Sequence, residues 1–322
     1  MFQTGDGMNP GSLIPDLTPT TFRFTDIDEF RSSVRNLEVD FTPLVRRISA
    51  EQTILNLAGC SINLTRSFPR IIDGRFAPNC TVIGFTMDDG IPIRFNGVEK
   101  DHLVVVIGTH GATFSLVELV ERQYASIVFT PAVEDRGWPK ASESFRMFET
   151  TPAAYFRLRE VVRQALSRAA QLAIDIEAIE ASSAIRESML AAVDAVFAAI
   201  IPTRLASSAH AGAQFKLFRE IDAVLSSNMS DPIYSEVLAR QVGVSVRSVH
   251  DAIQRFRGMS LHRYLRVRRL WLARKQLLAG ADSVKACALA FGFWHLGDFS
   301  ASYRAQFGES PSETLARSRK SS

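Results

Sequence analysis

Between about Leu44 and Pro131 the apolar residues fall in short runs of β-forming type. The clearest are 53–57 (TILNL), 81–85 (TVIGF), 104–107 (VVVI) and 124–129 (YASIVF). Asp73-Gly74, Asp88-Asp89-Gly90 and Asn96-Gly97 stand between them as turn material. Several short strands at this spacing predict a small antiparallel barrel or sandwich. From about Pro152 to Ile201 the period changes. Val161, Leu166, Ala169 and Leu172 recur at helical spacing, which predicts two or three helices with a break near Ser182-Ser183. The small, polar stretch from Pro202 to Gly212 reads as a linker, and residues 1–20, rich in Gly, Pro, Thr and Asp, as a flexible tail.

After Gly212 the pattern is helical throughout. Ile233 to Gly243 predicts a short amphipathic helix ended by glycine. Ser245 then caps a second, Val246 to Arg257, with Val249, Ile253 and Phe256 inward. Helix, glycine-containing turn, helix is the helix-turn-helix plan. It recurs: Val284 to Ala290, the turn at Gly292, then Leu296 to Phe307 with Phe299, Tyr303 and Phe307 inward. Leu261 to Ala279 joins the two as one helix of about 19 residues. At 1.5 Å per residue it spans about 28 Å, close to the roughly 34 Å of one turn of B-DNA. Two reading helices held so far apart can enter successive major grooves.

Charge sharpens this picture. The chain has 322 residues, enough for two domains, and a net charge of +3. Of its 37 lysines and arginines 17 lie from Gly212 onward, against 9 of its 34 acidic residues. The last third is therefore basic and the rest acidic, which suits one region to a polyanion and the other to a different task. With 46% apolar and 22% charged residues the chain is no disordered polymer. No apolar run approaches the ~20 residues of a membrane span. The first residues show neither a basic start nor an apolar core of a secretory signal, so the reading is cytoplasmic. Cys60, Cys80 and Cys287 are too scattered for a disulfide framework or a zinc site. The strand region holds only His102 and His110 and no His-x-His, so no metal, cofactor or catalytic residue is expected.

The stretch from Asp231 to Arg317 resembles the DNA-binding region of the AraC/XylS transcriptional regulators. The resemblance rests on LARQVGVSVRSVHDAIQRFRGMS, YLRVRRLWLARKQLL and ALAFGFWHLGDFSASYRAQFGESPSE. Gly292-Phe293, Phe299, Phe307-Gly308 and Ser310-Pro311 stand in the family's order and spacing. It implies that Arg247, Ser248, His250, Asp251 and Arg255 face DNA from the first reading helix, and Leu296, Gly297, Ser300, Ala301 and Arg304 from the second. Arginine can pair bidentately with guanine, and Asp251 can accept from cytosine. Arg255, Arg257, Arg263, Arg266 and Arg304 are candidates for phosphate contacts. Leu296, Gly297 and Ala301 offer little beyond a thymine-methyl contact, and His295 is expected to help cap its helix.

The resemblance also implies the fold class: α+β in two domains, an N-terminal cupin-like antiparallel β-barrel with a helical linker and an all-α tandem helix-turn-helix domain. The scheme is then a tail (1–20), an effector-sensing barrel (21–151), a helical dimerisation segment and linker (152–211) and the DNA-binding domain (212–322). Arg31 and Arg35, at i and i+4, are placed on one helix face just before the first barrel strand, where two guanidinium forks can clamp phosphates or guanine. This Arg-x-x-x-Arg is similar to the cyclic-di-GMP signature of PilZ domains, although the companion Asp/Asn-x-Ser-x-x-Gly motif is absent. A barrel joined to such readers and carrying the pair resembles the cyclic-di-GMP-responsive CuxR-type regulators. Exopolysaccharide genes would follow as targets. The expected protein is a homodimeric activator whose effector, cyclic di-GMP or another small metabolite, changes oligomeric state and affinity for promoter DNA, with RNA polymerase as a further partner. The alternative is a non-specific architectural DNA binder.

Overall fold

The structure is a computed structural model. It describes residues 17–90, 92–100, 103–109, 111–139, 146–171, 176–201, 208–229 and 233–321. His102 and His110 lie outside the described residues, as do residues 1–16 of the expected tail. Leu17 is buried in the core, so the ordered chain starts before residue 21.

The N-terminal half runs β1 (Thr20–Phe24), α1 (Ile27–Ser33), β2 (Leu37–Pro43), β3 (Ala50–Leu57), β4 (Cys60–Ser67), β5 (Arg70–Phe76) and β6 (Thr81–Thr86). It continues with β7 (Ile93–Phe95), β8 (Val98–Lys100), β9 (Val104–Thr109), β10 (Thr113–Glu118), β11 (Arg122–Phe129) and β12 (Arg146–Glu149). The strands pair antiparallel into two sheets, one in the order β1-β3-β4-β11-β6-β9-β12 and one in the order β2-β5-β10-β7-β8. The barrel is thus a flattened, two-sheet one. Asn96-Gly97 makes the β7–β8 hairpin turn with positive φ at both residues, 44° and 74°, as such tight turns require.

Asp73-Gly74 departs from its reading as a turn and lies in mid-β5, Gly74 facing Val39 of β2 and Phe114 of β10. A side chain there would run into the Phe114 ring, so this glycine serves close packing rather than a bend.

Alternation along the strands assigns each face of each sheet a job. On the seven-stranded sheet Leu55, Ile62, Ile83, Val105 and Ile127 pack outward against two helices, α2 (Pro152–Ala169) and α3 (Ile176–Ala198). The break between these helices follows Ala169, not Ser182-Ser183. Ser182 is buried inside α3 and accepts the Ala58 N–H at 3.0 Å. Inward, Val82, Val106 and Val128 meet Phe41, Ile72, Phe114 and Leu116 of the five-stranded sheet. Between the sheets lies a mostly apolar cavity of about 130 Å³, with Arg35, Gln52, Asn63, Thr65, Glu118 and Tyr124 among its polar lining.

The C-terminal half is helical: α4 (Ser208–Ser227), α5 (Ser235–Gln241), α6 (Val246–Arg257), α7 (Leu261–Leu278), α8 (Val284–Ala290), α9 (Leu296–Phe307) and α10 (Pro311–Ser321). α4 begins inside the stretch read as linker. This half docks on the outer face of the five-stranded sheet. Ile71 of β5 and Val117 of β10 are buried in one cluster with Phe215, Phe218, Ile253 and Phe256. The five-stranded sheet is therefore a shared wall: Ile72, Phe114 and Leu116 line the cavity while Ile71, Asp73, Ser115 and Val117 hold the helical half.

Candidate nucleic-acid interface

Each reading helix is built from local signals. Ser245 accepts the Ser248 N–H at 3.1 Å to start α6, and Gly258 ends it in the left-handed region at φ 70°. Val249, Ile253 and Phe256 face inward and are buried. On the opposite face Arg247 and Asp251 are 91% and 71% exposed and pair with each other at 3.6 Å. That solvent-exposed pair is weak and leaves both side chains available for other contacts. Ser248 is half-buried, its hydroxyl 2.8 Å from that of Ser245. His250 Nε2 lies 3.0 Å from the Ser235 hydroxyl, which ties α6 to α5. Arg255 is half-buried where the β7–β8 hairpin passes closest to α6.

In the second unit Ser283 caps α8 by accepting the Ala286 N–H at 3.0 Å, and Gly292 turns the chain at φ 72°. Phe299, Tyr303 and Phe307 are buried, while Leu296, Gly297, Ala301 and Arg304 are exposed and Ser300 is half-buried. His295 occupies the cap position of α9, but its side chain makes no capping bond. Sequence reasoning missed Trp294, which is 61% exposed beside this reading face. Its place directly after the Gly292-Phe293 turn was the available signal. α7 is one continuous helix of 18 residues, so the connecting rod is unbroken.

One phosphate candidate is used otherwise. Arg257 has no exposed surface. Its Nη1 donates to Asp73 Oδ1 at 2.9 Å and to the Ser115 hydroxyl at 2.8 Å, its Nη2 lies 3.1 Å from Asp222 Oδ1, and the guanidinium sits over the Phe218 and Tyr264 rings. Burial alone would lower its pKa, but Asp73, Tyr264 and Asp222 carry it well above the ordinary arginine value. Burial pushes Asp222 up, yet Arg257 and Arg268 hold it below the ordinary aspartate value. Arg266 donates to the Ser302 hydroxyl of α9. Arg263, Arg266 and Arg304 remain exposed.

Glu309, just after α9, binds the second unit together. It accepts from Arg274 of α7 at 2.6 Å, from Arg317 of α10 at 2.7 and 2.9 Å, and from the Thr314 hydroxyl at 2.9 Å. Its hydrogen bonds from Arg317, only partly opposed by burial and reinforced by Arg274, hold its carboxyl down to about 2. A depressed carboxylate stabilises the fold above its ordinary pKa of 4.5, and that stabilisation disappears as pH falls through about 2. Glu309→Gln is accordingly expected to cost about 2 kcal/mol near neutral pH, discounted for the half-exposed Arg317, with the gap to wild type closing between about pH 4.5 and pH 2. Urea unfolding of both proteins across that range measures it.

The two arginines read as an effector clamp do not share a helix face. α1 ends at Ser33 and Val34 is already extended, at φ −76° and ψ 117°. Arg31 pairs with Asp28 at 2.9 Å and with Asp40 at 3.7 Å, whereas Arg35 lines the inter-sheet cavity. Burial raises all three thiols, Cys60 to about 12 and Cys287 to about 11, as expected of cysteines packed as small apolar residues. Among the described residues no group of three His, Cys, Asp or Glu could hold a metal ion, and no helix is long and apolar enough to cross a membrane.

Comparison with known proteins falls on this helical half. A family described as "Helix-turn-helix domain" matches residues 238–317. XylDLEGF operon transcriptional activator 3 of Pseudomonas putida is 35% identical over 103 residues, 31% of this chain and 31% of that protein. The match thus spans about a third of the relative's length. A solved structure, a probable AraC family transcriptional regulator from Rhodopseudomonas palustris CGA009, is 39% identical, covers 32% of this chain and 97% of its own, and has a TM-score of 0.30. The crystal structure of the AraC-like transcriptional activator CuxR covers 80% of this chain and 96% of its own at 13% identity and a TM-score of 0.40. With two helix-turn-helix units on one rod and this match across them, the C-terminal region is an AraC-type helix-turn-helix domain, similar over that region to regulators of the AraC/XylS kind.

Proposed function

We propose that this protein is a sequence-specific DNA-binding transcription regulator, an activator working with RNA polymerase at promoter DNA. The observation that carries the reading is the pair of helices α6 and α9, each ended by a left-handed glycine, outward faces exposed, braced by the unbroken α7. Arg247→Ala is expected to cost about 1–3 kcal/mol of affinity for the cognate site and almost none for random duplex at the same salt. Competition binding with random DNA measures both. Equal losses on the two duplexes would favour the architectural binder instead.

Control comes from a small effector between the two sheets. The cavity, about 130 Å³ with an apolar lining and a few polar groups, suits a molecule of about benzene size bearing a polar head. Because β5 and β10 line the cavity on one face and carry the helical half on the other, a ligand that shifts Ile72, Phe114 or Leu116 also shifts Asp73 and Ser115. The response is a change in how two copies pair through α2 and α3, which aligns four helix-turn-helix units and raises effective concentration on DNA. Phe156, 50% exposed on α2, supports that pairing surface.

A second reading makes cyclic di-GMP the effector, with exopolysaccharide genes as targets. It is supported by Arg31 and Arg35 flanking the exit of α1, but it requires a site outside the inter-sheet cavity, which is too small for a dinucleotide. Calorimetry with cyclic di-GMP on wild type and on Arg31→Ala/Arg35→Ala tests it, and binding that survives the double change would remove it.

A further inference from the structure

A cleft of about 620 Å³ lies where the two halves meet, walled by α1, β2 and the turn after it on one side and by α7 with the ends of α9 and α10 on the other. Seven arginines and lysines line it against three aspartates. Tracing the partners shows which charges are already neutralised. Arg268 is held by Asp222 at 3.2 Å, Arg274 and Arg317 by Glu309, and Arg31 by Asp28 and Asp40. The Asp26 carboxylate is occupied in capping α1. Arg46, Arg47 and Lys275 remain, with no ion-pair partner among the described residues.

Two further features bear on what this cleft could hold. Arg46 packs against Gly308, the C-terminal cap of α9, so this cation crosses from the N-terminal half to the end of a reading helix. Trp271, its indole held by a 2.9 Å bond to the Pro43 carbonyl and edge-on to Phe307, adds a half-buried aromatic surface.

We infer that this interdomain cleft is a binding site for a phosphate-rich small anion, a nucleoside di- or triphosphate or an inorganic polyphosphate, gripped by Arg46 and Arg47 from one half and Lys275 from the other. Three uncompensated cations match the charge of a di- or triphosphate, and Trp271 offers the stacking surface that a base would use. A DNA duplex is excluded by size from a cleft walled on both sides. Because its two walls belong to different halves, the ligand binds the docked arrangement and stabilises it by mass action. The site goes beyond the inter-sheet effector cavity and differs from the cyclic di-GMP reading, with which it shares Arg31, because that reading also needs Arg35, a residue that does not line the cleft.

The test titrates the full chain with sodium tripolyphosphate and with GTP and ATP at physiological salt, by calorimetry and thermal unfolding. The expected result is saturable binding with a raised midpoint of unfolding. Affinity should fall about a hundredfold in Arg46→Ala/Lys275→Ala, roughly tenfold for each charge-assisted contact, and stay unchanged in Arg35→Ala. A nucleotide at least about tenfold tighter than tripolyphosphate assigns the site to a nucleotide, and equal affinity assigns it to an inorganic anion. No binding, binding indifferent to the double change, or a double variant whose salt slope on random DNA falls by about one per residue would overturn the inference, the last by giving these cations to DNA. A chain that ignores the anions yet still prefers its cognate duplex leaves the regulator reading intact. Arg46→Glu/Lys275→Glu, at two exposed positions, serves as a second variant whose fold can be checked independently.

Discussion

An Arg257→Ala protein is expected to lose about 3–5 kcal/mol of stability, the cost of removing one partner from a buried ion pair. The change strands Asp73, 20% exposed, leaves Asp222, 16% exposed, with only Arg268 and the Tyr264 hydroxyl of its partners, and leaves the Ser115 hydroxyl without its donor. It also removes the cation stacked between the Phe218 and Tyr264 rings at 4.5 and 4.8 Å. Arg257→Lys should recover little, because one ammonium cannot serve both carboxylates and the hydroxyl from the position of a planar fork. Urea unfolding gives the loss directly. The salt slope of DNA binding gives the contrast: a phosphate contact would lower the slope by about one and leave stability alone, and that outcome would return Arg257 to the DNA face. Asp73→Ala isolates the interdomain share, since Asp73 belongs to β5 and Asp222 to α4.

Arg70→Met alone is expected to cost a similar 3–5 kcal/mol, whereas Arg70→Met/Glu118→Leu should come within about 1 kcal/mol of wild type or exceed it. Arg70 and Glu118 are 0% and 1% exposed and paired at 3.1 Å, with the guanidinium stacked on Phe30, Phe41 and Phe68. The pair is incompletely satisfied: Arg70 Nη1 and Glu118 Oε1 are buried with no hydrogen-bond partner. Two such desolvated ions are poor stabilisers compared with well-packed apolar groups, yet breaking the pair leaves a buried carboxylate with the Ser67 hydroxyl but without its paired cation, beside a mostly apolar cavity. A double-mutant cycle in urea separates these terms. If the double variant is as unstable as the single one, packing of the Arg70 stem among the phenylalanines, rather than charge, explains the loss. Glu118 also lines the cavity, so the double variant further tests whether a polar effector head needs that carboxylate.

The readable parts of this chain are those whose cause is local. The limits of α6, α8 and α9 follow from serine caps, left-handed glycines and an apolar stripe repeating within four residues, all visible in the linear string. The face of α6 that meets solvent follows from the same stripe, which is why Arg247 and Asp251 stand where the pattern places them. Strands were less legible. β5 was obscured by Asp73-Gly74, whose turn-like composition is overruled by β2 and β10 on either side and by the Phe114 ring that needs the space. The expected face shared by Arg31 and Arg35 failed for a related reason, since α1 stops one turn short once Val34 turns extended toward β2.

Arg257 marks where local reading ends. Its spacing puts it at the tail of a reading helix, where an arginine suits a phosphate. Its real acceptors, Asp73 and Ser115, are 184 and 142 residues away along the chain and meet it only because the helical half docks on the five-stranded sheet. A contact over such a separation leaves no periodic trace, so the primary structure establishes two DNA-reading units and their spacing but says nothing of what they rest upon. Packing in three dimensions supplies the shared wall, the cavity on its inner face and the cationic cleft at its edge, because each arises from side chains brought together by sheet pairing and docking rather than by neighbourhood in the chain.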